Sequence, residues 1–379
     1  MDFTYTETQD MVRDTLSRFL ADTYDFDKRR AMLGSEAGRD PAIWQSLATE
    51  LGMLGAPFSE EHGGLGGGAL ENAIVMEEMG KVMAVEPYLQ TVVIGGGALK
   101  AVGGAQADAV IPEIIAGNCI IAFAYAEPQG RYNLANIKTT AKKDGGGYVL
   151  NGHKSVVYAA PWATHLLVTA RTGGSGSERD GLSLFLVDAK ADGIVRRDYP
   201  TVDGFRASEV YFENVAIPGD ALLGGEGTGL PLIEQIVDEA TVAVCAEACG
   251  VTAKLHEGTL EYTQQRKQFG QPISRFQVLQ HRMVDMFMEV EQAKSMTIMA
   301  TLKMGEDAND RMAAVSQAKA KVGRACKFVG QNAVQTHGGI GITDELAIGH
   351  YFKRATMIEN QFGSVDHHYD RFERLTLAD

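Results

Sequence analysis

The chain has 379 residues, 45% of them hydrophobic and 22% charged, with a formal net charge of −14. That is the composition of a folded globular protein, and the acidic balance argues against a nucleic-acid binder, which needs a basic face. At roughly 100–200 residues per domain the length allows two or three domains.

The first residues lack the basic and apolar regions of a signal peptide, and no apolar run reaches the ~18 residues of a membrane span. A cytoplasmic protein with no membrane span is expected. Thr6 and Gln9 have capping-box spacing, followed by Met11, Leu16, Phe19 and Leu20 at helical intervals. Trp44, Leu47, Leu51 and Leu54 form a second apolar face. The glycine-rich stretch 60–68 lacks the Lys-Ser/Thr of a phosphate loop and reads as a flexible connection before a helix over 69–82. Between about 120 and 218 the period changes to two, with strands expected at 165–169, 182–187 and 209–212 and a hairpin turn at Asn151-Gly152. Long helices return near 229–266, 276–304, 312–336 and 344–371, lengths that favour a bundle. The fold class is therefore α+β. It comprises an N-terminal helical domain (1–118), a small antiparallel β domain (119–219) and a C-terminal four-helix bundle (226–379). None of the cysteines (119, 245, 249, 326) forms a CxxC pair or sits in a metal-ligand pattern. Cys245 and Cys249 share a helix face as small buried residues, and no metal is expected.

Four stretches carry a resemblance. They are Phe123-Ala124-Tyr125-Ala126-Glu127-Pro128, Asn151-Gly152-His153-Lys154, Arg266-Lys267-Gln268-Phe269-Gly270 with Phe276-Gln277, and Gln335-Thr336-His337-Gly338-Gly339-Ile340-Gly341. In this order and at near-gapless spacing they resemble the acyl-CoA dehydrogenase family over nearly the whole chain. The resemblance implies FAD, bound by Tyr125, Ala126 and Tyr158 of the β domain. Arg266, Phe269, Gln277, Gln335, Gly338 and Gly339 would reach an FAD across a subunit interface. It also implies an acyl-CoA substrate, electron-transfer flavoprotein as electron acceptor, and a dimer or tetramer. By residue type alone, Arg266 reads as a surface arginine and Gly338-Gly339 as a helix-ending pair; with the resemblance, Arg266 becomes a planar charged donor fork for a pyrophosphate and the glycines allow close backbone approach.

The chain departs from the pattern where chemistry is expected. Such a dehydrogenase removes an α-proton with a carboxylate, which must stand within hydrogen-bond reach of the α-carbon. The family's two Glu positions fall on Phe362, within Gln361-Phe362-Gly363-Ser364, and on Ala240. Glu239 is one residue off, about 100° around the helix. Glu247 lies seven residues on from Ala240, on the same face and roughly 10 Å along the axis, and is the candidate relocated base. Asp366, beside His367 and His368, is a further nearby carboxylate. Small residues usual after Glu-Pro are replaced by Gln129-Gly130-Arg131-Tyr132-Asn133, and the flavin-flanking Trp and Thr fall on Val156 and Tyr158. Members lacking the Glu resemble the small subunit of pimeloyl-CoA dehydrogenase-type pairs and subunits of steroid-degrading heteromers. A non-catalytic partner subunit is thus one reading, and a homomeric dehydrogenase with a moved base is another. A flavin monooxygenase or desulfinase on the same fold is a third.

Overall fold

The computed structural model describes residues 5–377. Its helices are α1 (Glu7–Thr23), α2 (Phe26–Gly34), α3 (Pro41–Thr49), α4 (Ala69–Val82), α5 (Gly97–Val102), α6 (Gly104–Ile115), α7 (Leu230–Gln265), α8 (Gln277–Leu302), α9 (Ala308–His337), α10 (Ala347–Asn360) and α11 (Val365–Thr376). The principal strands are β1 (Ile121–Ala124), β2 (Thr140–Asp144), β3 (Gly147–Tyr158), β4 (His165–Arg171), β5 (Leu182–Asp188), β6 (Ile194–Pro200), β7 (Arg206–Pro218) and β8 (Leu222–Leu223). Two two-residue strands, β9 (Lys267–Gln268) and β10 (Gln271–Pro272), follow α7. By internal contacts the chain falls into two compact units. One is built from residues up to 32, 69–84 and 241 onward, the other from 33–68 and 85–240, so the division runs through α7.

The helical unit combines early and late parts of the chain. The capping box at Thr6 and Gln9 starts α1, whose buried residues are Val12, Leu16 and Leu20. Met11, expected on that face, is 62% exposed, because the i, i+4, i+8 row of buried residues runs through Val12 instead. Helices α4 and α7 approach at glycines. A Cβ on Gly80 would fall 2.2 Å from Glu247 O, and one on Gly250 would fall 2.1 Å from Glu77 O, so only glycine admits this spacing. Cys245 and Cys249 are buried in α7, and burial pushes the Cys245 thiol up to about 12. The helix expected over 344–371 breaks into α10 and α11. Phe362 and Gly363 take φ of +60° and +130°, which no α-helix tolerates, and Ser364 caps the new helix by accepting from His367 N.

The second unit centres on an eight-stranded sheet in the order β6-β7-β3-β2-β4-β5-β8, with β1 added beside β4. It is mostly antiparallel, but β1 runs parallel to β4, a pairing that period-two patterning does not reveal. Leu150, Leu166, Val168, Phe185, Val210 and Phe212 lie in its buried core. The β2–β3 turn is Asp144–Gly147, not Asn151-Gly152. Asn151 and Gly152 lie inside β3, where β7 inserts an extra residue between Phe212 and Val215. The Asn151 carboxamide accepts from Asn214 N, and Asn214 is at φ +53°. The strong turn dipeptide therefore answers a bulge across the ladder. The glycine-rich loop is likewise better fixed than its composition suggests. Gly64, Leu65, Gly66 and Gly67 donate backbone bonds to Ser59, Gly55, Phe58 and Ala56.

Candidate functional site

In the sheet unit, two of the sequence motifs meet at a second bulge. β3 and β7 lose register between Lys154 and Val157, so Ser155 and Val156 oppose a single residue, Glu209. Ser155 N donates to Ala126 O at 2.9 Å. Lys154 Nζ, fully buried, donates to Glu127 Oε1 at 2.8 Å, Thr169 Oγ1 at 2.9 Å and Tyr125 O at 3.3 Å. Glu127 also accepts from Lys138 N, Thr139 N and Gln129 Nε2. Burial alone would raise the Glu127 carboxyl, but the Lys154 charge and these donors outweigh it and hold it down at about 2. The stretch Tyr125–Glu127 is thereby fixed to the bulge from inside the sheet.

Val156 is at φ +51° and 43% exposed. For a β-branched residue this backbone costs on the order of 1–3 kcal/mol, and such strain persists only where surroundings impose it. The Ser155 hydroxyl is buried and makes no hydrogen bond among the described residues. Two residues beyond Val156, Tyr158 joins a cluster of tyrosines. The Tyr125 hydroxyl is pushed up by burial, then by the nearby Tyr158 and Tyr132 hydroxyls, while its ring stacks on Phe123 at 4.6 Å. Arg131, at φ +48°, is exposed.

In the helical unit, Arg266, Phe269, Gln277, Gln335, Gly338 and Gly339 are all exposed. Phe269 and Gly270, at φ +54° and +78°, form the two-residue turn between β9 and β10. Phe269 occupies a site suited to Asn or Gly and is 90% exposed, so an aromatic ring is displayed on a strained turn. Tyr262 ties this hairpin to the Gly338-Gly339 loop. Its ring stacks on His337 at 4.2 Å, and its hydroxyl donates to His337 O at 3.4 Å. A Cβ on Gly338 or Gly339 would meet nothing within 4 Å, although Gly338 needs its φ of +68°. The structure thus brings together two exposed motifs separated by about 70 residues of sequence.

Phe362 occupies the buried turn between α10 and α11. Lys319, fully buried on α9, donates to Glu359 O at 2.9 Å and Gly363 O at 2.7 Å, on either side of it. His368 Nε2 donates to Phe362 O at 3.2 Å, and its Nδ1 faces Ser316 Oγ at 3.4 Å. Burial, with Lys319 and His367, pushes the His368 ring down to about 2, so it is neutral and can donate from one nitrogen only. Glu247 is also buried. Both its oxygens accept from Arg354, Oε1 from Nε and Oε2 from Nη2, each at 2.6 Å. Arg354 reaches on to Gln361 Oε1 at 3.5 Å, next to Phe362. Glu239 accepts from Gln235, Ala240 is fully buried and Asp366 is exposed. Sequence reasoning did not find Arg354, Lys319 or Glu209. Charged residues on long helices and strands look solvated until the fold buries them, and only the pairing register reveals Glu209.

Comparison with known proteins gives matches along the whole chain. Family models match for the acyl-CoA dehydrogenase N-terminal domain at residues 6–118, the middle domain at 122–215 and the C-terminal domain at 227–372. "Probable acyl-CoA dehydrogenase YngJ" of Bacillus subtilis is 30% identical, over 100% of this chain and 99% of the relative. Among solved structures, the ChsE4–ChsE5 complex from Mycobacterium tuberculosis superposes with a TM-score of 0.90 at 25% identity, covering 100% of this chain and 99% of that one. The FAD complex of PigA has a TM-score of 0.90 at 26% identity, covering 99% and 98%. Among the described residues, no helix is long and apolar enough to cross a membrane and no three or more His, Cys, Asp or Glu side chains gather as a metal site.

Proposed function

This chain belongs to the acyl-CoA dehydrogenase family, a family of FAD-dependent oxidoreductases, and from that premise we propose that it is an FAD-binding subunit that lacks its own catalytic base. Its residues fit the cofactor. Ser155 Oγ is an orphaned buried hydroxyl in the bulge, and the Gly338-Gly339 backbone is open to close approach. FAD supplies the acceptor for the hydride leaving the acyl β-carbon. The chain's part would be to hold the flavin against the joined Tyr125–Glu127 and Ser155–Tyr158 segments. Arg266 would meet the pyrophosphate charge of an FAD held by a partner subunit, with Phe269, Gln277 and Gln335 of the same chain beside it.

The observation that carries the reading is Phe362. The turn where the family places its Glu is kept, buried and braced by Lys319 and His368, yet it presents a phenyl ring. We read Glu247 as structural, since taking a substrate proton would require it to leave a buried bidentate guanidinium. A homologous chain that carries the Glu would then supply the base, and one of the solved relatives is itself a complex, ChsE4–ChsE5. The exposed apolar residues of α8, Val278, Val284, Phe287 and Met288, suit association with a homologous chain. Electron-transfer flavoprotein would reoxidise the flavin.

The test is to purify the chain alone and add acyl-CoAs anaerobically while recording flavin absorbance. Bound flavin that no acyl-CoA bleaches, but that bleaches once a Glu-bearing homologue is co-expressed, is the expected result. Bleaching by the chain alone would overturn the proposal.

A further inference from the structure

We propose that Glu209 is a positioning residue for the flavin, acting through the backbone of the Ser155–Val156 bulge. The inference rests on the reading that flavin lies against this segment. It begins from strain: a valine at φ +51° in a half-exposed bulge does not hold itself there. On the outer face, Glu209 supplies the restraint together with the Tyr199 hydroxyl that it holds against the same amide. Glu209 Oε1 accepts from Val156 N at 3.3 Å and from the Tyr199 hydroxyl at 3.1 Å. Glu209 Oε2 faces His153 Nε2 at 2.5 Å. His153 in turn stacks on Tyr211 at 4.3 Å with the planes 5° apart, and the Arg197 guanidinium covers the other partner ring at 5.2 Å. The carboxylate is therefore tied to β3, β6 and β7 at once, with its oxygens placed to receive the one amide that the bulge turns outward.

The geometry has a mirror on the inner face. There Ser155 N and Lys154 Nζ bind the Ala126 and Tyr125 carbonyls. Two consecutive amides, Ser155 and Val156, are thus drawn to opposite sides of the sheet. That divergence is what the lost register between Lys154 and Val157 consists of. Removing the carboxylate takes away the Val156 N acceptor and unties the Tyr199 hydroxyl that lies against the same amide, and a β-branched residue then relaxes toward φ < 0. Such a flip would rotate the peptide units leading to Tyr158 while the inner clamp and the buried core stay in place. Glu209 is only partly buried, so its loss threatens placement of the bulge more than the fold.

The experiment measures the dissociation constant and absorbance spectrum of FAD for four proteins: wild type, E209A, E209Q and E209A in the V156G background. Circular dichroism and thermal melting follow the fold in each. E209A is expected to weaken FAD binding about tenfold and to change the flavin band shape, while melting as wild type does. E209Q keeps an acceptor for Val156 N and should stay within about twofold of wild type. Glycine adopts φ > 0 freely, so in the V156G background the E209A change should shrink to under about twofold relative to V156G alone. Equal FAD affinity in E209A and wild type would overturn the inference, as would an E209A loss that persists undiminished beside V156G. A wild type that binds no FAD would instead sink the flavin reading on which this rests.

Discussion

The Ser155–Val156 bulge and the Asn360–Ser364 turn solve the same backbone problem in opposite surroundings. Each holds a bulky non-glycine residue at positive φ, Val156 at +51° and Phe362 at +60°. Each does so with side chains that reach the backbone from packed positions: Glu209 of β7 and the adjoining Lys154 for the bulge, Lys319 and His368 for the turn. The bulge is half exposed and contains an unsatisfied hydroxyl, the pattern of a surface still waiting for a ligand. The turn is buried, and the polar atoms that brace it have partners within the chain. Strain and bracing therefore mark both places as built for a purpose, but only the bulge still offers polar groups.

The sharpest way to break this comparison is to give the turn a carboxylate. If the bracing at 359–363 still aims the side chain at 362 correctly, Phe362→Glu should speed anaerobic flavin reduction by acyl-CoA in the isolated chain. A gain on the order of 10²-fold or more is expected, the scale of a positioned general base. No gain in a folded, FAD-loaded variant would mean that the turn does not aim residue 362 at the substrate. The neighbouring pair gives the next largest effect. Glu247→Ala strands a buried guanidinium and should cost about 3–5 kcal/mol in denaturant unfolding. Replacing both partners, Glu247→Met with Arg354→Leu, should restore most of that stability. A relocated base would behave differently, losing flavin reduction without that rescue.

How much of this was legible beforehand differs between the two places. The α–β–α order, the cap at Thr6 and the helix over Ala69–Val82 could be read because periodicity and capping are local. The break at Phe362 could not. The apolar pattern continues through it, and a positive φ at Phe is enforced by Lys319, 43 residues away, rather than by the turn's own sequence. Asn151-Gly152 misled for the related reason that a turn dipeptide also suits a bulge on the opposite strand. The motif residues were found through resemblance. Their partners Glu209 and Arg354 were not, since strand register and helix crossing decide them.

A pH measurement sharpens the picture of the turn. The His368 ring ordinarily titrates near 6.5, and in the folded protein burial holds it down at about 2. The unfolded chain therefore takes up this proton below about pH 6.5 while the folded one does not. Stability from this group is complete above 6.5 and is lost as pH falls, by about 2 kcal/mol at pH 5. His368→Gln keeps a donor for Phe362 O and should flatten the unfolding free energy between pH 5 and 7. An unchanged slope would place the acid sensitivity elsewhere.

The smallest expected effect separates the two strained residues from each other. Asparagine tolerates positive φ better than valine or phenylalanine. At Val156, where much of the side chain is in solvent, Val156→Asn loses little packing and relieves backbone strain, so stability should rise by about 1 kcal/mol. At Phe362 the same relief is available, but only 9% of the residue is exposed. Emptying that volume costs about 3–5 kcal/mol, so Phe362→Asn should be destabilised despite its easier backbone. Denaturant midpoints for the two variants, measured side by side, test this directly. Opposite signs would mean that the bulge carries strain for what it presents and the turn has filled its place with packing. Two losses would mean that the packing Val156 still makes outweighs the strain of its backbone.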